Sequence, residues 1–126
     1  MNTVLAVAAG GAIGAVGRYL VMSGIGHWLG TAFPVGTLVV NVLGSFAMGV
    51  LVELGALVWS PSPELRAMLV VGLLGSFTTF STFSLDVVVL VQRGATLPAM
   101  GYIVASVVLC IAGLVLGMSM VRGLVG

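Results

Sequence analysis

The chain carries very little charge. Its 126 residues include four arginines, three acidic residues, one histidine and no lysine. A soluble domain has roughly 25% charged residues, whereas this chain is 6% charged and 60% hydrophobic. This scarcity excludes the ordinary soluble globular class and indicates a membrane protein. It also leaves no basic surface for nucleic acid, so we expect no nucleic-acid partner.

Reactive side chains are equally scarce. Cys110 is the only cysteine, which excludes an intramolecular disulfide and a cysteine-based metal cluster. His27 is the only histidine, and the acidic residues Glu53, Glu64 and Asp86 are widely separated in the sequence. Because an enzyme needs a positioned acid, base or nucleophile, we predict that the protein is not an enzyme.

Long uncharged runs fill most of the chain, at residues 1–17, 28–52, 67–85 and 94–121. Roughly 18 apolar residues are enough for a helix to span a membrane. The first run lacks the basic residues of a signal peptide, so we interpret it as a span. The sequence therefore predicts one all-α membrane domain over residues 1–126, with four spans at about 3–23, 35–57, 66–92 and 97–121.

A polar segment interrupts the third run. Residues 72–84 read GLLGSFTTFSTFS, and from residue 76 onward six hydroxyl residues alternate with three phenylalanines. In a membrane, irregular or strongly polar backbone survives only where it is buried in protein or lines a pathway. We therefore predict that the third helix is broken near residues 75–79 and that this segment is the working centre.

Two other spans carry polar side chains at a spacing of four residues, which places each set on one helix face. The sets are Thr37, Asn41 and Ser45 on span two, and Tyr102, Ser106 and Cys110 on span four. Asn41 alone is compatible with two roles, hydrogen bonding between helices or donation to a pathway. The alignment of both sets with the hydroxyl segment favours a polar track through the membrane.

Two charges lie within predicted spans close to the polar features: Arg18 in the last third of span one, and Asp86 just beyond the hydroxyl segment of span three. An isolated cation inside a membrane is unfavourable unless it snorkels or faces water. Arg18 therefore either snorkels or lies at the mouth of an aqueous vestibule, where it concentrates anions. Asp86 has a similar pair of interpretations, as a vestibule residue or as the partner of an arginine.

Glycines mark the faces on which helices pack. Gly10 and Gly14 on span one have the spacing that lets helix backbones approach closely. Gly113 and Gly117 form a similar smooth surface on span four. We interpret both pairs as packing surfaces rather than as ligand sites.

The four arginines are balanced between the two ends of the spans. Arg66 and Arg122 flank one side, and Arg18 and Arg93 approach the other. Insertion follows an excess of basic residues on one side, so this sequence specifies no orientation. A chain that inserts both ways can pair with its inverted copy, as the inverted repeats of many transporters do within one chain.

Four blocks of sequence resemble the bacterial fluoride channels of the Fluc/CrcB family. They are GGAIGAVGRY at 10–19, GTLVVNVLGSFAMG at 36–49, GLLGSFTTFSTFS at 72–84, and Tyr102 with Ser106 on the last span. The resemblance covers nearly the whole chain. It implies a four-helix subunit with a broken third helix, an antiparallel dual-topology homodimer in the bacterial inner membrane, and two pores.

The resemblance also implies the functional residues. A structural sodium ion at the dimer centre would be held by backbone carbonyls at Gly75 and Thr78, and four carbonyl oxygens suit a hard cation. The implied fluoride pathway consists of Asn41, Thr79, Phe80, Ser81, Phe83, Tyr102 and Ser106. Cys110 departs from the hydroxyl expected one turn beyond Ser106.

These residues suit a small, strongly hydrated anion. Neutral donors can replace its water without holding it permanently, and the electropositive edges of Phe80 and Phe83 add a further contact. Simple packing is the alternative for the aromatic residues, and we prefer it for Phe77. The expected function is passive fluoride export, which detoxifies the cell.

Two other functions remain open at the level of sequence. A small dual-topology multidrug transporter has a similar length, but proton-coupled export needs a carboxylate near the membrane centre, and all three acids lie toward span ends. A non-transporting membrane adaptor held together by glycine contacts would leave the polar track unexplained.

Adding a few lysines to either terminus is expected to fix the orientation of the chain, because basic residues stay on the cytoplasmic side. Each variant alone should then lose ion efflux from liposomes. If singly oriented variants remained fully active, the inverted dimer would be wrong.

Overall fold

Helices make up nearly all of the structure, a computed structural model that describes residues 2–125. The elements are α1 (Thr3–Leu29), α2 (Val35–Leu57), α3 (Pro63–Ala67), a π-helix (Met68–Leu74), α4 (Gly75–Phe77), α5 (Phe80–Gln92) and α6 (Thr96–Val125). Four stretches are long and apolar enough to cross a membrane: α1, α2, residues 63–92 together, and α6. The chain is thus a multi-pass membrane protein.

Local sequence signals set the ends of the helices. The side chain of Asn2 accepts from the Val4 N–H and caps α1, and the Ser62 hydroxyl caps α3 in the same way. Such caps satisfy backbone N–H groups that have no partner inside the helix. Gly30, at φ 79°, ends α1, because a glycine adopts this backbone angle without steric penalty.

The first span is longer than expected from the sequence. α1 continues to Leu29, whereas the sequence predicted an end at about residue 23. His27 and Trp28 therefore lie in the last turn of α1, and Trp28 is 86% exposed. Helix propensity is only a weak guide to where a helix ends. Here α1 ends at Leu29, because the next residue, Gly30, has a positive φ.

The third span is interrupted, as the sequence predicted. α4 ends at Phe77, Thr78 and Thr79 are extended, and α5 begins at Phe80. The interruption lies inside the predicted range of residues 75–79. The π-helix at Met68–Leu74, immediately before the break, was not predicted; π-helical turns are often found at functional sites.

Backbone contacts at glycines hold the spans together. α1 packs on the π-helix and α4, and α2 packs on α6. A Cβ atom at Gly14 would overlap the Leu73 carbonyl oxygen, and one at Gly49 would overlap the Leu114 carbonyl oxygen. Gly10 and Gly117 meet facing backbone in the same way. The interpretation of Gly10, Gly14 and Gly117 as packing residues is confirmed, and Gly49 adds a contact that the sequence did not indicate.

Few side chains are fully buried in the single subunit. Val40 and Tyr102 are the largest buried residues among those described, while many leucines and valines are exposed on the outer faces. An apolar exterior is expected for a protein surrounded by lipid. Lipid tails are as apolar as these side chains, so burying the side chains gives no hydrophobic free energy. The subunit is therefore held together mainly by close helix contacts rather than by a large core.

Replacing Gly14 or Gly49 by alanine is expected to destabilise the protein by about 1–3 kcal/mol, the usual range for overpacking. Each new methyl group would press on a backbone carbonyl that cannot move aside. Thermal unfolding of purified protein in detergent measures the effect. Gly24→Ala and Gly101→Ala are matched controls, since nothing lies within 4 Å of either added Cβ. Equal stability of all four variants would contradict the expectation.

Candidate functional site

The break in the third span leaves backbone groups without helical partners. Side chains supply hydrogen-bond partners for some of these groups. The Leu74 carbonyl accepts from the Thr78 N–H at 3.1 Å and from the Thr78 hydroxyl at 3.0 Å. The Thr79 hydroxyl accepts from the Thr82 N–H at 3.2 Å and so caps α5. Each half of the span is therefore closed locally, by a threonine next to the break.

Asn41 on α2 holds the break in place. Its Oδ1 accepts from the Thr79 N–H at 2.8 Å, and its Nδ2 donates to the Thr79 carbonyl at 3.1 Å. The side-chain amide thus pairs with both polar groups of one extended residue, as a neighbouring backbone would. An asparagine amide has two donor hydrogens, so one of them is left for another partner.

Arg18 reaches the same break from α1. Its Nε donates to the Ser76 carbonyl at 3.0 Å, in the last turn before the helix stops. Arg18 is half-buried and lies about 16 Å from the end of α1 at 1.5 Å per residue. It faces a separate surface depression beside Tyr19 and Met22. The structure therefore puts Arg18 on the α1 side of the break, away from the polar groove described next.

A groove runs along the other side of the break, between α2 and α6. Its polar lining comes from Asn41, Ser45, Thr78, Thr79 and Ser106, and the backbone of Gly75 also faces it. Phe80 and Phe83 contribute their rings. The groove thus collects Asn41, Gly75, Thr78, Thr79, Phe80, Phe83 and Ser106 from the predicted site residues.

Ser106 is the least satisfied polar group in the groove. The residue is 7% exposed, and its hydroxyl has no hydrogen-bond partner among residues 2–125. Buried hydroxyls are normally hydrogen-bonded. An unpartnered one that lines a groove indicates a position where a ligand or another chain can supply the missing contact.

Three backbone carbonyls at the break, those of Gly75, Phe77 and Thr78, accept no hydrogen bond from residues 2–125, and two of these residues, Gly75 and Thr78, line the groove. Within residues 2–125 no hydrogen bond ends on the carbonyl oxygen of Gly75 or of Thr78, because the N–H groups that a continuous helix would send them bond elsewhere. Gly75 is exposed in the single subunit. Free carbonyls at this depth need a cation or a donor from outside the subunit.

The aromatic residues form a row beside the groove. The ring centroids of Phe80 and Phe83 are 5.4 Å apart, and those of Phe83 and Tyr102 are 5.1 Å apart, with interplanar angles of 45° and 47°. Phe33 meets Tyr102 edge-on at 5.5 Å. Phe80 is 78% exposed, so its ring is available to whatever lies in or beside the groove.

Tyr102 lies behind Phe83 and is fully buried. Its hydroxyl donates to Asp86 Oδ2 at 3.0 Å. The partner of Asp86 within the described chain is thus a tyrosine, where the sequence suggested an arginine or a vestibule. Tyr102 does not line the groove in the single subunit.

Ser81 lies just outside the groove, on the first turn of α5. It is exposed, and its hydroxyl is 3.4 Å from the Thr79 hydroxyl. Phe77, for which we preferred a packing role, lies next to Gly17 on α1 and Gly44 on α2. That placement agrees with packing against the neighbouring helices.

The sequence did not indicate several apolar lining residues and one ion pair. Met48, Ile111 and Leu114 add apolar surface to the groove. Cys110, which the sequence placed on the polar face of span four, lines the groove too. Glu53 is 6% exposed and pairs with Arg122 at 2.9 Å, between the ends of α2 and α6. The sequence does not reveal that α2 packs on α6. Without that pairing, it could not show which arginine binds Glu53.

Replacing Asn41 is expected to release the break. Asn41→Ala removes the hydrogen-bond partners of the Thr79 N–H and carbonyl groups. Leaving a buried polar group unsatisfied lowers the free energy of unfolding by about 1–3 kcal/mol. Asn41→Asp keeps an acceptor for the N–H but places a second oxygen opposite the Thr79 carbonyl, so it should also be destabilising. Thermal unfolding in detergent measures both, with Ser45→Ala, one turn along α2, as the control. Wild-type stability of both Asn41 variants would show that the amide does not hold the break.

Comparison with known proteins gives consistent matches over almost the entire chain. The family model described as "CrcB-like protein, Camphor Resistance (CrcB)" matches residues 5–118. A protein of Rhodospirillum centenum named "Fluoride-specific ion channel FluC" is 62% identical over 122 residues, which is 97% of each chain.

Two further relatives with the same printed name are similar over comparable lengths. The protein of Chelativorans sp. is 52% identical over 124 residues, 98% of this chain and 99% of its own. That of Nitrobacter winogradskyi is 51% identical over 119 residues, 94% of each chain. The break, the glycine contacts and these matches lead to one conclusion: the chain belongs to the CrcB family.

Proposed function

We propose that the protein is a passive, fluoride-selective channel. The groove supplies the main support: the buried Ser106 hydroxyl has no partner, and Asn41 keeps one amide hydrogen free beside the break. Both are neutral donors at the depth where the third span loses its helical hydrogen bonds. Relatives that are 51–62% identical are named as fluoride-specific channels, which supports the choice of ion.

Neutral donors suit conduction of a small anion. They replace part of its hydration shell, yet they hold it less firmly than a fixed positive charge would. Arg18, which reaches the break from α1, does not line the groove. The tilted rings of Phe80 and Phe83 offer electropositive edges along the same path. Thr79 and Ser81 carry hydroxyls next to it, and Tyr102, whose hydroxyl donates to Asp86, lies behind Phe83.

The working assembly that we propose is an antiparallel homodimer with two pores. The groove is open along one side of the single subunit, where Phe80 and Gly75 are exposed. A second, inverted copy would close it and bring donors to the unpartnered groups. The balanced arginines support this arrangement, because they give neither orientation an advantage.

A structural sodium ion at the dimer centre fits the free carbonyls of the break. Gly75 and Thr78 each present a carbonyl oxygen without a hydrogen bond, and two subunits would supply four such oxygens. Hard cations prefer oxygen ligands of this kind. Bound there, the ion would satisfy carbonyls that lipid cannot satisfy.

The proposed setting is the bacterial inner membrane, with lipid around the apolar outer faces. Passive conduction would let fluoride leave a cell down its gradient. The arrangement of carboxylates argues against the multidrug-exporter alternative: Glu53 is paired with Arg122, and Asp86 accepts a hydrogen bond from Tyr102. Neither is a free carboxylate in the groove.

Purified protein in liposomes tests this function. Vesicles loaded with potassium fluoride should empty rapidly once a potassium ionophore is added, and vesicles loaded with potassium chloride should not. Phe80→Ile and Phe83→Ile should still assemble but conduct more slowly. Loss of about 1.4 kcal/mol, at the upper end of aromatic contact energies, would slow flux roughly tenfold.

Phe46→Ile is the matched control, because Phe46 lies at the contact of α2 with Gly117 and does not line the groove. Its fluoride flux should stay near that of the wild type. Unchanged flux in both Phe80→Ile and Phe83→Ile would remove the ring edges from the pathway. An absence of fluoride efflux from wild-type vesicles would reject the channel itself and favour a membrane adaptor.

A further inference from the structure

Two side chains each donate a hydrogen bond to one carbonyl group of the break. Arg18 bonds to the Ser76 carbonyl, and Asn41 bonds to the Thr79 carbonyl. Gly75, Phe77 and Thr78 keep theirs free, and of these residues Gly75 and Thr78 line the groove. We propose that Arg18 is a positioning residue that decides which carbonyls of the break remain available to a cation. This inference rests on the proposed function, since it concerns the proposed sodium site.

Among residues 2–125, no charged group compensates the positive charge of Arg18. No carboxylate of residues 2–125 forms an ion pair with it, and the Ser76 carbonyl is its one hydrogen-bond acceptor there. A guanidinium at this depth is unfavourable unless it finds acceptors. The C-terminal end of a helix carries partial negative charge on its unpaired carbonyls, and Arg18 lies against such an end.

The geometry separates the Ser76 carbonyl from its neighbours. Ser76 bonds toward α1, whereas Gly75 and Thr78 face the groove. Gly75 belongs to the last helical turn before the break, and Thr78 is the first residue after that turn, with an extended backbone. By binding the Ser76 carbonyl, Arg18 holds the last helical turn, which contains Gly75 and leads directly into Thr78.

The planar guanidinium is well suited to this task. Its Nε–H points in one fixed direction from the side chain, unlike the rotating ammonium of lysine. Gly11 and Gly17 leave room for the turn around Ser76 and Phe77 to approach α1. The arginine therefore reaches a defined atom on a backbone that is already held close.

Charge and positioning make opposite predictions for sodium binding. The positive charge of Arg18 repels a nearby cation, so electrostatics alone predicts that its removal strengthens sodium binding. Loss of positioning predicts the reverse, because the carbonyls would no longer be held in place. Removing a partner that orients a metal ligand typically weakens binding by roughly 10–100-fold.

The test is the sodium dependence of thermal unfolding, measured on purified dimer in detergent with N-methylglucamine as the replacing cation. A ligand that binds only the folded state raises its unfolding temperature with concentration. In Arg18→Met, which has neither charge nor donor, the sodium concentration for the half-maximal shift should rise by at least roughly tenfold. Arg18→Lys keeps the charge without the fixed Nε–H and should show a smaller rise.

Arg93→Met is the matched control. Arg93 also donates to a backbone carbonyl, that of Ala32 at 2.6 Å, but at a loop outside the break. Its sodium requirement should equal that of the wild type. If Arg18→Met fails to fold, Arg18→Lys decides the question by itself.

An unchanged or lower sodium requirement in both Arg18 variants would overturn the positioning role. So would a wild-type stability that does not respond to sodium at all. Fluoride efflux from wild-type liposomes is measured separately, so a failed sodium site and a failed channel would give different results.

Discussion

The structure depends on satisfying the backbone of a broken helix where no water is available. In lipid, each unpaired N–H or C=O group is strongly unfavourable, yet the third span is extended at Thr78 and Thr79. Asn41, Arg18 and the capping hydroxyl of Thr79 supply partners from three directions. Gly75 and Thr78, whose carbonyls stay unpaired, line the groove, so the hydrogen bonding of the break also shapes the candidate functional surface.

Close helix packing makes this arrangement possible. Arg18 reaches the break because Gly10 and Gly14 bring α1 against the backbone of the π-helix. Gly44 gives similar access on α2, where a Cβ would collide with the Thr78 side chain. The glycines are thus more than spacers in a membrane bundle. They bring the helices close enough for the Asn41 amide and the Arg18 guanidinium to bond to the backbone of the third span.

The sequence predicted the main elements but not the roles of individual groups. The four spans, the break and the glycine faces followed from apolar runs, hydroxyl content and residue spacing, which are local properties. The two interpretations of Asn41 could not be separated, because its partner Thr79 is far away in sequence. For the same reason the Tyr102 hydroxyl bond to Asp86 was not foreseen. The fluoride pathway and the sodium site stay predictions, drawn from resemblance and supported by the groups that the groove leaves free.

The π-helix at Met68–Leu74 has a geometric consequence for everything that follows it in the third span. A π-helix bonds each N–H to the carbonyl five residues back, so it turns through a smaller angle per residue than an α-helix does. The seven residues therefore deliver Gly75 to a different azimuth from the one that seven α-helical residues would reach. This offset lets Gly72 in the first half of the span pack against α1 while Gly75 lines the groove.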